Sequence, residues 1–111
     1  MTAKDVYTNA IGLLGYTDNA EYQRRALFAI NKVYLELFSL IGSEGEFEPL
    51  RSLNEKINLP KNIVFSAMPS GVAELIALGE GDGELQQYFA LDYDKAKAKI
   101  NVVEYVVNKI P

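Results

Sequence analysis

From Tyr22 to Ile41 the chain carries one continuous apolar stripe, in which Tyr22, Ala26, Ala29, Ile30, Val33, Leu37, Leu40 and Ile41 recur at helical spacing. Only an α-helix gathers residues so spaced onto one side, and a stripe of this length commits the segment to a helix lying lengthwise on a core. Asp18, with Glu21 three residues on, predicts its start, and Gly42 its stop. Its other face is charged, with Glu21 and Arg25, and Lys32 and Glu36, spaced as i,i+4 ion pairs. Phe28 and Leu35 fall among those charges. Either a second layer of the same chain covers them, or they contact a neighbouring subunit.

The remaining periodic segments are arranged around that helix. Val6, Ala10, Leu13 and Leu14 predict a helix over about residues 3 to 14, with Thr2 and Asp5 as a capping pair and Gly15 as the C-cap. After Pro69, Ser70 stands where an N-cap is expected, and Val72, Ala73, Leu75, Ile76 and Leu78 make a short apolar helix ending in GEGDG. Asp82 is placed to cap a last helix, along which Leu85, Phe89, Ala96, Ile100, Val103, Val107 and Ile110 recur at three- and four-residue steps. The β-branched run VVEYVV leaves its final ten residues open to helix or strand. A helix over 84–109 runs roughly 40 Å, whereas a compact domain of this size has a radius of gyration of about 13 Å. Part of its stripe is therefore expected to lie outside the monomer's own core.

Between the second and third of these helices, residues 42 to 69 show no sustained period and contain three prolines. KINLP and NIVFSAM read as short extended pieces, with Pro60 tolerated only at an edge. A structureless connection this long is unusual inside a compact domain. It reads either as a lid folded over the helices, burying Phe47, Leu50, Leu53 and Ile57, or as an arm. The arm reading places residues 43–65 as a mobile segment in the free subunit, anchored on a partner through Phe47, Ile57, Leu59 and Ile63. The expected architecture is mainly α: a single domain over 1–111, built as a small bundle of about four helices with a long irregular loop between the second and third.

Composition removes most chemistry. There is no cysteine and no histidine, which excludes disulfides, thiol nucleophiles, thiolate zinc sites and imidazole bases. GEGDGE lacks the spaced oxygen ligands of a calcium loop and the Lys and Ser/Thr of a phosphate loop, so it reads as an interhelical turn. Asp92 and Asp94, two residues apart on a helix, point to different sides and form no catalytic pair. No catalytic, cofactor or metal residue is assigned. The net charge of −4 and pI near 4.8 oppose binding to a phosphate backbone, and the basic residues are dispersed. The first two helices also fit a helix-turn-helix outline, but the second lacks a basic recognition face. The N-terminal residues lack the run of a signal peptide, and no stretch reaches the roughly 18 apolar residues of a membrane span, which predicts an intracellular chain with no membrane partner. Seven tyrosines suit half-buried positions at core rims and protein contacts.

The stretch after the loop carries a resemblance. GVAELIALGEGD followed by YFALDYDKAKAKI is similar to the closing pattern of the head-tail connector, or adaptor, proteins of tailed bacteriophages, through Gly71, Ala73, Leu75, Ala77, Gly81, Asp82, Tyr88, Phe89 and Tyr93. The similarity covers about 40 residues, and the order of two helices, long loop and two helices also fits. Ser70 stands where that pattern has an aromatic residue, and Asp94 where it has Glu. The resemblance implies a structural phage or prophage protein without enzyme activity. It implies subunits that assemble as a ring, commonly of twelve, on the portal protein, extend the DNA channel and present a surface to a stopper or tail-completion protein. Such a subunit would be found in the host cytoplasm during assembly and then in the virion, and would bind no specific DNA. The alternative from another class is a small intracellular α-helical regulator linked to nucleic acid.

Overall fold

The computed structural model describes residues 1–42 and 45–109, the last nine of these by their backbone alone. It is mainly helical, with no strand among the described residues. Four principal helices, α1 (Ala3–Leu14), α2 (Ala20–Leu40), α4 (Met68–Gly79) and α5 (Gly83–Lys109), are joined by a six-residue helix, α3 (Lys61–Ser66). The buried residues form one core. The molecule measures 48 × 29 × 17 Å, with a radius of gyration of 14.0 Å. A helix of α5's length spans about 40 Å, so α5 alone accounts for most of the long axis.

Local signals set the ends of α1. The Thr2 hydroxyl accepts from the Asp5 N–H, and the Asp5 carboxylate accepts in return from the Thr2 N–H at 2.9 Å. At the other end Gly15 takes the left-handed conformation (φ 71°) and its N–H reaches the Ile11 carbonyl at 2.9 Å, a backbone shape that costs any other residue a Cβ clash. The start of α2 differs from expectation by one residue. Asn19, not Asp18, is the N-cap, its Oδ1 accepting from the Tyr22 N–H at 2.8 Å. Asp18 is drawn instead to the Tyr7 hydroxyl and the Gln23 side chain, tying α1 to α2.

Pro69 falls in the first turn of α4, where its missing N–H costs nothing. That helix starts at Met68, so Ser70 is not its cap. Ser70 is buried inside α4 and its hydroxyl donates to Asp92 of α5. NIVFSAM is likewise helical rather than extended, with Val64 of α3 buried in the core. Of the two expected extended pieces, only KINLP keeps a trace, an isolated antiparallel bridge between Lys56 and Thr2.

Gly71 explains how α4 sits between its neighbours. A Cβ there would lie 3.0 Å from both the Tyr93 ring of α5 and Val33 of α2, so the absence of a side chain sets the approach of three helices. Across the same junction the Tyr93 hydroxyl donates to Glu36 of α2. Lys97 also reaches Glu36 at 3.3 Å and stands 4.4 Å from the Tyr93 ring centroid. Burial and the Glu36 carboxylate push the Tyr93 hydroxyl pKa upward, keeping it a donor. Neither expected ion pair within α2 forms: Glu36 turns to α5, and Arg25 turns to Glu80 at 2.5 Å, at the end of α4.

The segment Lys61–Gly79 is long and apolar enough to cross a membrane by composition, with mean hydropathy 1.3, which corrects the expectation that no stretch reaches that length. More than half of it is buried within the protein, where α3 and α4 use that apolar character as core.

Candidate interaction surface

Over its described residues, which leave out 43 and 44 of the expected arm, the loop after α2 is docked, not free. Its acceptors complete α1: the Ala3 N–H donates to the Glu55 carbonyl at 3.0 Å and the Lys4 N–H to the Leu53 carbonyl at 2.7 Å. These are first-turn donors that no helix can satisfy internally. The Ile57 N–H donates to the Met1 carbonyl at 3.0 Å. From α2, Asn31 brackets Leu50: its side-chain NH2 donates to the Leu50 carbonyl (3.0 Å) and its Oδ1 accepts from the Leu50 N–H (2.7 Å). The Tyr34 hydroxyl accepts from the Asn58 N–H at 3.1 Å.

Those bonds carry the loop's apolar residues onto the chain's own helices. Ile57 is only 5% exposed and Leu50 is buried. Phe47 packs edge-on against Tyr34 and Phe38, with centroids 5.0 and 5.6 Å apart. Leu53, Leu59 and Ile63 are half-buried against the same core. The expected mobile arm is thus replaced by the lid. Phe47, Ile57, Leu59 and Ile63 are spent on the monomer's core because α2 and the N-terminus of α1 offer both an apolar seat and unpaired backbone groups.

Phe28 and Leu35 are the opposite case. Among the described residues no second layer covers them: Phe28 is 77% and Leu35 47% exposed. Phe28 lines a groove between α2 and α4 with Ala29, Leu75 and Ile76, bordered by Arg25 and Lys32. Arg25 is held across Gly79, where an added Cβ would lie 2.0 Å from the guanidinium, and reaches Glu80. Leu78, one turn beyond Leu75 on α4, is also exposed. The result is an apolar ridge flanked by Lys32 and by Arg25, which is held by Glu80.

Sequence reasoning missed a second bare face, on α5. Tyr88 is 65% and Leu91 63% exposed, on the side away from Phe89 and Tyr93, which are buried. The signal was present, a second three- and four-residue spacing running beside the first. Val103 and Val107 of the expected stripe lie beyond the described side chains, and Ile110 lies outside the described residues. The backbone of α5 is helical through Lys109, so over the described residues the open question of its end resolves as helix.

Most tyrosines whose side chains are described serve the fold. Tyr7, Tyr34 and Tyr93 are buried, and Tyr16 donates to Asp82 at 3.2 Å. Burial and the Asp18 carboxylate push the Tyr7 hydroxyl up to about 12. Its hydrogen bond holds the Asp18 carboxyl below the usual carboxylate range. The residues that carry the phage resemblance are also largely structural. Gly71 meets Tyr93, Ala73 and Ala77 are buried, Gly81 turns the chain at φ 73°, and Asp82 accepts from the Leu85 N–H at 3.3 Å. They specify the α4–α5 corner. Among the described residues no group of acidic side chains is arranged to hold a metal ion, and no buried side-chain polar atom lacks a partner. No protein-family model, curated protein or solved structure matches the chain.

Proposed function

We propose that this chain is a structural, non-enzymatic subunit of a phage or prophage head-tail connector, assembling as a ring on a portal protein and extending the DNA channel toward a stopper or tail-completion protein. The observation that carries the proposal is the bare apolar ridge of Phe28 and Leu35 on an otherwise charged helix face. Large apolar side chains held on a rigid helix beside a groove suit a protein partner better than they suit solvent. A ridge on one face, meeting a different face of the next subunit, is the arrangement that closes into rings. The resemblance through the α4–α5 corner supplies the class of assembly. The net charge of −4 suits a channel that conducts DNA without holding it. Residence in the host cytoplasm and then at the head-tail junction of the virion belongs to the same proposal.

The test is co-expression with a portal protein from the genome that encodes this chain, followed by co-purification and electron microscopy. Rings seated on the portal are the expected result. Phe28→Lys combined with Leu35→Lys should leave helicity unchanged and abolish the rings. A chain that ignores the portal and instead binds a short DNA duplex in a salt-sensitive manner would replace this proposal with the regulator.

A further inference from the structure

We infer that a second copy of this chain packs antiparallel on the outer face of α5, giving a two-fold dimer of the free protein through a surface separate from Phe28 and Leu35. Glu84, Tyr88, Leu91, Lys95 and Lys99 follow one another along α5 at steps of four, three, four and four residues, which places them on one flank. All five are exposed. The Tyr88 ring is steadied by an edge-on contact with Phe89, centroids 5.0 Å apart. Neighbouring charges are already engaged: Asp92 accepts from Ser70, Asp94 pairs with Lys97 at 3.4 Å, and Lys97 also reaches Glu36. Glu84, Lys95 and Lys99 make no ion pair among the described residues.

The order along the flank is acid, aromatic, aliphatic, base, base, and that order identifies the occupant. Turned end for end about Leu91 and Asp92, a second copy sets its Glu84 opposite Lys99 and its Tyr88 opposite Lys95, while the two Leu91 side chains meet near the axis. The dimer then holds two opposite-charge pairs and two cation–π contacts in all. A parallel second copy would oppose Glu84 to Glu84 and Lys95 to Lys95, which repel. At the lysine end the same flank opens into a groove of about 670 Å³. Its apolar walls come from Ile41, Ile63, Ala96 and Ile100, and Lys95 and Lys99 line it as well. It is a receptacle for the Tyr88 ring of the second copy at the position this register demands.

Sedimentation velocity on the full chain tests the inference. The contact belongs to the small, weakly associating class, so dimer is expected at roughly 100 µM and monomer on dilution. Lys95→Glu with Lys99→Glu should weaken association about tenfold or more, as should Glu84→Lys alone. Glu84→Lys combined with Lys99→Glu should restore it, because those two charges oppose each other again while Lys95 keeps its place over the second copy's Tyr88 ring. A wild-type chain that stays monomeric, or a Glu84→Lys, Lys99→Glu variant that remains monomeric while fully helical, would overturn the inference. The absence of native cysteine allows a second measurement. Leu91→Cys should cross-link as a dimer on oxidation with diamide, and should not do so with Lys95→Glu and Lys99→Glu present. Equal cross-linking by Leu13→Cys, on an exposed residue of α1, would show collision rather than this interface and would count against it.

Discussion

The loop between α2 and α3 and the outer faces of α2 and α5 exchange the roles that their regularity suggests. The loop has no period, yet its backbone groups pair with Met1, Ala3, Lys4, Asn31 and Tyr34, and its apolar side chains lie on the core. The helices are regular, yet Phe28, Leu35, Tyr88 and Leu91 stand in solvent. Irregular backbone must find partners for its N–H and C=O groups, and in doing so it is drawn onto the fold. A helix satisfies its backbone internally and can leave an apolar face bare at no hydrogen-bonding cost. Free surface is thus a property of side-chain environment, and the absence of secondary structure does not report it.

Substitutions in the two regions should separate them. Ile57→Ala should cost about 2–4 kcal/mol in urea unfolding, as for a buried aliphatic residue; a loss under about 0.5 kcal/mol would mean that the loop is a passenger. Gly71→Ala should cost about 1–3 kcal/mol, since the new methyl meets the Tyr93 ring and Val33, both packed in the core. Asn31→Ala leaves both Leu50 backbone groups without their side-chain partner and should cost about 1–2 kcal/mol. It should also speed amide exchange at Leu50 and Ile57 before exchange in α2 changes.

A pH titration contrasts the two ends of the titration range. The Tyr7 hydroxyl is raised from 10.0 to about 12 in the folded chain, and Tyr93 is raised as well. Their stabilising contribution is complete below pH 10 and is lost as pH rises through the folded values, so stability should fall from about pH 10 upward. Tyr7→Phe should flatten the early part of that fall. Asp5, Asp18 and Glu55 are lowered by hydrogen bonds. Their contribution is present above about pH 4 and fades below it as they protonate. The smallest effect belongs to the bare ridge: Phe28→Lys should shift stability by no more than about 0.5 kcal/mol. A larger loss would place Phe28 within the fold.

How much of this was legible depended on distance along the chain. The ends of α1 were readable because Thr2, Asp5 and Gly15 act on atoms within four residues. Asp18 misled because it has the chemistry of a cap, and only the position of Tyr7 on another helix decided that Asn19 would serve instead. Ser70 failed as a cap for a similar reason, since Asp92 lies across the helix pair. Of the contact residues named from sequence, Phe28 and Leu35 remained on the surface because a charged helical face identified them. Phe47, Ile57, Leu59 and Ile63 were named from the loop's lack of pattern, which carries no information about where the loop goes. Tyr88 and Leu91 belong to a second helical spacing beside the first stripe of α5, and spacing alone does not say which of two stripes the core takes.

The sequence by itself determined that the chain is helical, where its principal helices lie to within a few residues, and that thiol and imidazole chemistry are absent. Those properties follow from spacing, capping and composition, all of which act locally or by inventory. Tertiary structure alone decided that Asn31 clasps Leu50, that Glu36 serves α5 instead of Lys32, that Gly71 admits Tyr93, and that two apolar faces stay uncovered. The first three join residues 19 or more positions apart. Their pairing depends on how the helices cross, and helix crossing is set by the fit of whole surfaces, which no local pattern records.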